Sequence, residues 1–161
     1  MKKVIHFLLK YNTIFIFVVF LVVSSIASKA FFTERNIFNL LRQMAGIGIV
    51  SMGMLLVILT AGIDLSVGSM MALASVLSAH FLFSMPLPLS IILTILTGVV
   101  LGSVSGFLVS NRRMAPFVVT LAMMTIARGL AYIVSKGAPI LLPESGQVLK
   151  NFGSAYWLRI P

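Results

Sequence analysis

The chain has no cysteine, and that excludes a disulfide frame, a thiol nucleophile and a thiolate metal site. Acids are almost as scarce, three Asp and Glu in 161 residues, and only 9% of the chain is charged. Paired carboxylates for acid–base chemistry are therefore missing, as are a phosphate-binding loop, a nucleophile set beside a base and a cluster of metal ligands. None of the usual enzyme constellations can be assembled, and no cofactor is expected. What the chain has instead is apolar: 60% of it is hydrophobic and its mean hydropathy is +1.13, far from the range of water-soluble domains.

Twelve Lys and Arg against those three acids give a net charge of +9, a balance that fits either nucleic acid or anionic lipid. Position separates the two. Lys2, Lys3, Lys10, Arg112 and Arg113 lie at the edges of apolar runs, where the positive-inside bias puts them, and no basic patch interleaves with aromatics. The composition thus implies membrane lipid as the surroundings and no nucleic acid partner.

Read in order, the runs predict an all-α, polytopic transmembrane helical bundle of about five spanning helices plus an interfacial helix, in one domain over residues 1–161. The first span is placed near 11–27, about 17 residues or roughly 26 Å of helix. Its basic start and the small residues Ser25 and Ala27 also suit a cleaved signal peptide for residues 1–27, but further spans follow and an uncleaved span is preferred. Phe31 to Met44 is mixed in character, with Thr33 placed as a helix cap and Ile37, Leu40, Leu41 and Met44 on one face. It reads as an interfacial helix, with Glu34, Arg35, Asn36, Asn39 and Arg42 toward headgroups. Spans near 45–63, 66–83, 87–109 and 117–134 complete the bundle. Residues 135–161, broken by Gly137, Pro139, Pro143, Gly146 and Gly153 and carrying Phe152, Tyr156 and Trp157, read as an extracytoplasmic loop.

Small residues recur inside the spans. Gly68, Ala72, Ser75 and Ala79 fall at packing intervals in the third, and Gly98, Gly102 and Gly106 form a doubled GxxxG ridge in the fourth. In lipid, helices associate through close packing rather than hydrophobic gain, so the ridge is expected to contact another helix of the same bundle, with homodimer contact as the alternative. His80 near the end of the third span reads as a tolerated interfacial residue. Arg128 interrupts the fifth span about six residues from its end, close enough to snorkel outward, with buried pairing as the other option.

Five crossings from a cytoplasmic N-terminus put the Pro86 turn and the tail outside, and the Asp64 and Arg112-Arg113 turns inside. The arginine pair follows the positive-inside rule; Lys29, Arg35 and Arg42 run against it, with Glu34 offsetting part.

Asp64 stands out from this background, the sole acid between Glu34 and Glu144, in a tight connection between two uncharged runs. A carboxylate there is either satisfied locally or reaches water. Two residues before Ser66, it is placed to cap the next helix, with a gain of roughly 0.5–2 kcal/mol, while Gly62 and Gly68 permit the bend and a close neighbour. The functional alternative is that this broken connection lines a passage for solute.

The stretch ILTAGIDLSVGSMMAL over residues 58–73 closely resembles the signature of the inner-membrane permease subunits of ATP-binding-cassette sugar importers of the ribose, xylose and galactose type. FFT at 31–33 with NIFN at 36–39, PFVVTLAMM at 116–124, ARGL at 127–130 and GAPI at 137–140 resemble the family's other blocks, in its order. The resemblance implies a noncatalytic permease in the cell inner membrane. Its implied partners are a cytoplasmic ATP-binding subunit that hydrolyses the ATP, a second permease subunit, and an extracytoplasmic binding protein that delivers a monosaccharide. It singles out Gly62, Asp64, Ser66, Gly68, Thr120 and Arg128 as pathway or motif candidates. Family members are roughly twice as long, so the chain is expected to correspond to the N-terminal half, from a truncated frame or one needing a separately encoded remainder. A permease for an amino acid or nucleoside, and a small noncatalytic membrane protein acting through helix association, are the other readings.

Overall fold

The computed structural model describes residues 11–154, and among them all regular structure is helical. The N-terminal basic residues and Tyr156 and Trp157, used above for orientation and surface anchoring, lie outside the described residues. Five long helices follow one another: α1 Asn12–Ala27, α2 Glu34–Leu59, α3 Val67–Phe81, α4 Leu87–Ser110 and α5 Pro116–Ser135. A short 3-10 turn, Glu144–Gly146, then leads into α6, Gln147–Ser154. Three of these, α2, α4 and α5, are long and apolar enough to cross a bilayer, and α1 and α3 are shorter apolar helices. The chain is a multi-pass, all-α membrane protein.

The chain divides into two compact units, one reaching to Gly46 and the other beginning at Ile47. In the first, α1 is apolar around its whole circumference and buries no residue, as befits a helix solvated by lipid. Between α1 and α2 the Phe31 and Phe32 rings meet edge to face at 5.0 Å. Thr33 caps α2 as its position predicts, its Oγ1 accepting the Asn36 amide at 3.4 Å, while Asn36 Nδ2 reaches back to the Phe31 carbonyl at 2.8 Å.

A separate interfacial helix over 31–44 does not form. Its residues from Glu34 onward run without a break into the next apolar segment as the single 26-residue α2. No proline stands in this range, and Gly46 and Gly48 cost a helix only about 1 kcal/mol each, too little to end it. At 1.5 Å per residue α2 is about 39 Å long, beyond the ~30 Å hydrocarbon layer, so its polar first turns project past the apolar region. It also ends at Leu59, earlier than the expected 63.

In the second unit α3 lies at the centre, packed most extensively against α5 and also against α4, which touches α5 in turn. The α3–α5 seam joins Leu73, 2% exposed, to Ala127 and Ala131. On α5 the buried positions Val119, Met123, Ala127 and Ala131 step by four along one face, with Thr120 buried beside Val119. Between α3 and α4 the link is polar: fully buried Ser90 donates its hydroxyl to the Ser78 carbonyl at 3.0 Å. Of the stripe expected on α3 only Ala79 is buried; Gly68, Ala72 and Ser75 are exposed, and Ser69 and Leu73 are buried instead, because the face is set by where α5 lies rather than by residue size alone.

After α5 the chain turns back onto the end of α3. Ser145 Oγ donates to the Leu82 carbonyl at 3.0 Å, and a Cβ on buried Gly146 would sit 3.2 Å from the Leu82 side chain. Residues 144–146 are thereby fastened to the bundle.

Candidate functional site

The connection from α2 to α3 is built from two local motifs in series. At the end of α2 the Gly62 amide bonds the Val57 carbonyl at 3.0 Å and the Ala61 amide bonds the Ile58 carbonyl at 2.9 Å, the paired bonds of a Schellman ending. The residue this motif holds in the left-handed region is Ala61, at φ 57°, and not the glycine beside it. Gly62 is needed for a different reason: a Cβ there would lie 3.2 Å from the Val57 carbonyl and 3.2 Å from its side chain. Thr60 Oγ1 adds a third bond to the Val57 carbonyl at 2.8 Å.

Asp64 then organises the entry to α3. Its Oδ1 accepts the Ser66 amide at 2.7 Å and the Ser66 hydroxyl at 2.6 Å. Both donors belong to the residue at the N-cap, so the half-buried carboxylate closes a turn just ahead of α3 rather than bonding amides within its first turn. Ser66 and Ser69 are buried here, and Ser69 Oγ donates to the Ser66 carbonyl at 2.7 Å.

Thr120 fastens this elbow to α5. The residue is 6% exposed, and its hydroxyl lies 3.1 Å from the Ile63 carbonyl and 2.9 Å from the Pro116 carbonyl. Residues 57 sequence positions apart are joined in this way. Gly62, Asp64, Ser66 and Thr120 thus come together, and with them Gly98, Gly102 and Gly106: all seven line one cleft of about 860 Å³ between the elbow, α3, α4 and the start of α5. Gly68 and Arg128 are not among its walls; Gly68 is exposed with open space around it, and Arg128 is exposed on α5.

Among the described residues the glycine ridge is therefore not a helix contact. A Cβ at Gly98, Gly102 or Gly106 would meet nothing within 4 Å among the described residues. The helix seams actually present use residues that the spacing argument passed over, Ala127, Ala131 and Ser90. The run Met123, Ala127, Ala131 carries a four-residue spacing that could have revealed the first two; nothing in the sequence around Ser90 marks it.

Chemically the cleft is quiet. Its hydroxyls are committed to neighbours: Thr94 to the Ser90 carbonyl, Ser105 to the Leu101 carbonyl, Ser110 to Asn111 Oδ1, Thr120 and Ser66 as above. No group of three His, Cys, Asp or Glu able to hold a metal occurs among the described residues.

A protein-family signature described as "Branched-chain amino acid transport system / permease component" matches residues 36–142, a range that includes the elbow, the cleft and α5. The chain belongs to this permease family. It is 42% identical to the ribose import permease protein of Bacillus subtilis over 89% of this chain and 45% of that protein. It is 34% identical to the ribose import permease protein of Haemophilus influenzae over 97% of this chain and 49% of that one. Against the xylose transport system permease protein of Escherichia coli K12 it is 40% identical over 79% of this chain and 32% of the relative. The permease thus spans about half the length, or less, of the curated relatives it matches. No solved structure matches it.

Proposed function

We propose that this permease is the transmembrane component of an ATP-driven, binding-protein-dependent importer of a monosaccharide. It corresponds to the N-terminal half of the importer's permease and sits in the inner membrane with its N-terminus in the cytoplasm. The observation that carries the reading is that ribose permeases of two organisms align with 89% and 97% of the chain. ATP hydrolysis belongs to a separate cytoplasmic subunit, sugar delivery to an extracytoplasmic binding protein, and the pathway to two permease copies together. The remaining permease length is needed for transport. Within this assembly Gly62, Asp64, Ser66 and Thr120 form the elbow that holds α3 and α5 in register. Gly68 and Arg128, exposed on α3 and α5, are positions for contact with other parts of the importer.

A second reading is favoured by the family's description, which names branched-chain amino acids. Uptake separates the two. Cells lacking their own ribose importer would express the chain with the second half of the Bacillus subtilis ribose permease and that system's ATP-binding and sugar-binding proteins. Labelled ribose should enter, and unlabelled ribose should compete while leucine does not. Entry of labelled leucine and not of labelled ribose, with a leucine-binding protein supplied in place of the sugar-binding one, would favour the amino acid; no uptake of either by a stable assembly would sink both.

A further inference from the structure

The cleft beside the glycine ridge has the shape and chemistry of a seat for a helix, not of a passage for a sugar. Its wall on α4 runs from Thr94 to Ser110, which at 1.5 Å per residue is about 24 Å, most of the thickness of the hydrocarbon layer. Along that wall Gly98, Gly102 and Gly106 leave a groove floor of bare backbone, open beyond 4 Å. The opposite side is Val57, Ile63, Val67, Met70, Met71 and Ala74, and Met is the side chain best able to conform to an irregular partner.

A passage for a sugar needs hydrogen-bonding groups turned inward and commonly an aromatic face. This cleft has no aromatic and no amide side chain in its walls, and the Oδ1 of its one carboxylate, Asp64, is taken up by the Ser66 amide and hydroxyl. The hydroxyls of Thr60, Ser66, Thr94, Ser105, Ser110 and Thr120 already donate to other groups of the chain. Bare glycine backbone in a long apolar groove is instead the surface against which a second helix makes its closest approach in lipid.

We infer that the occupant is an apolar transmembrane helix from the portion of permease length that the relatives have and this chain does not span. The relatives it matches over 89% and 97% of its own length are each about twice as long, so a comparable mass of helix belongs beside it. A helix with large apolar side chains flanking the ridge fills the cleft and brings its backbone against Gly102, at the ridge centre. The inference rests on membership of the permease family and not on which solute is carried.

The test co-expresses the full chain with the second half of the Bacillus subtilis ribose permease, each separately tagged, and measures their co-purification in mild detergent. Gly102→Leu should lower it about tenfold, whereas Val100→Leu, on the outward face of α4, should leave it within about twofold. Because a Cβ at Gly102 meets nothing within 4 Å among the described residues, the variant's own melting should match that of the parent. Failure of the two pieces to co-purify, or equal loss from both substitutions, would overturn the seat. So would loss of a homodimer of this chain on Gly102→Leu with the heteromeric pair intact, which assigns the groove to a second copy. In the same assembly a Gly102→Cys variant, clean because the chain has no other thiol, should resist a water-soluble thiol reagent. Rapid labelling blocked by sugar would overturn the seat in favour of a passage, and a failure of sugar uptake alone would leave co-purification unaffected.

Discussion

Asp64 acts through geometry first. One oxygen accepts both the amide and the hydroxyl of Ser66, so the side chain replaces two water contacts at the entry to α3. Asn offers the same acceptor without the charge, and Ala offers none. Asp64→Ala should therefore destabilise the detergent-solubilised protein by about 1–3 kcal/mol, with Asp64→Asn clearly milder. Thermal melting of the two variants checks the order; equal losses would mean that charge, not the turn, matters. Three residues upstream, Ala61 holds a left-handed conformation at φ 57° that a Cβ disfavours. Ala61→Gly should stabilise the protein by about 0.5–1 kcal/mol in the same assay, since the Schellman bonds are already formed and only the steric cost is removed.

At the level of elements, the bundle from Ile47 onward depends on close approach of α3 and α5. Ala127 is completely buried against α3 and Leu73 fills the space beside it. Ala127→Leu adds volume that neither helix can absorb, and a loss of about 1–3 kcal/mol follows. Gly98→Leu, on the open ridge of α4, should leave the melting of the isolated chain nearly unchanged. Circular dichroism melts of the pair distinguish a filled seam from an empty one, and equal losses would show that the ridge is packed after all. The turn 144–146, pinned through Ser145 to the end of α3, has no counterpart in the pattern of hydrophobic runs.

For the whole molecule, the three long apolar helices and the family place the chain in a membrane. The proposed orientation makes a checkable statement. Single cysteines at Asn111 and at Ser84 should react with an impermeant thiol reagent from opposite sides, Asn111 only in opened cells and Ser84 in intact ones. Labelling of both from one side would refute the five-crossing arrangement. Many large apolar side chains are exposed among the described residues, Phe20, Leu56 and Ile133 for example. Lipid covers part of this in any permease; the glycine-floored cleft is the part whose shape suits a helix.

Several features were determined by the sequence alone, because they rest on local chemistry: the membrane class from hydropathy, the capping by Thr33, the turn at Pro86, and the elbow around Asp64 with its resemblance to the sugar-importer permeases. Hydrogen bonds between residues two or three apart, and apolar runs long enough for a bilayer, are written into neighbouring residues. Only the tertiary structure decided which small residues are packed. Ala127 and Ala131 meet α3, Ser90 reaches Ser78, and Thr120 reaches Ile63, while Gly98, Gly102 and Gly106 face an open cleft. A four-residue spacing states that a helix has a smooth face; which face meets a neighbour depends on the azimuth at which helices distant in sequence come to lie. The continuity of α2 was by contrast legible in the sequence, since no breaker stood at the boundary between its polar start and its apolar run; the change in polarity there marks a change of surroundings and not a helix end.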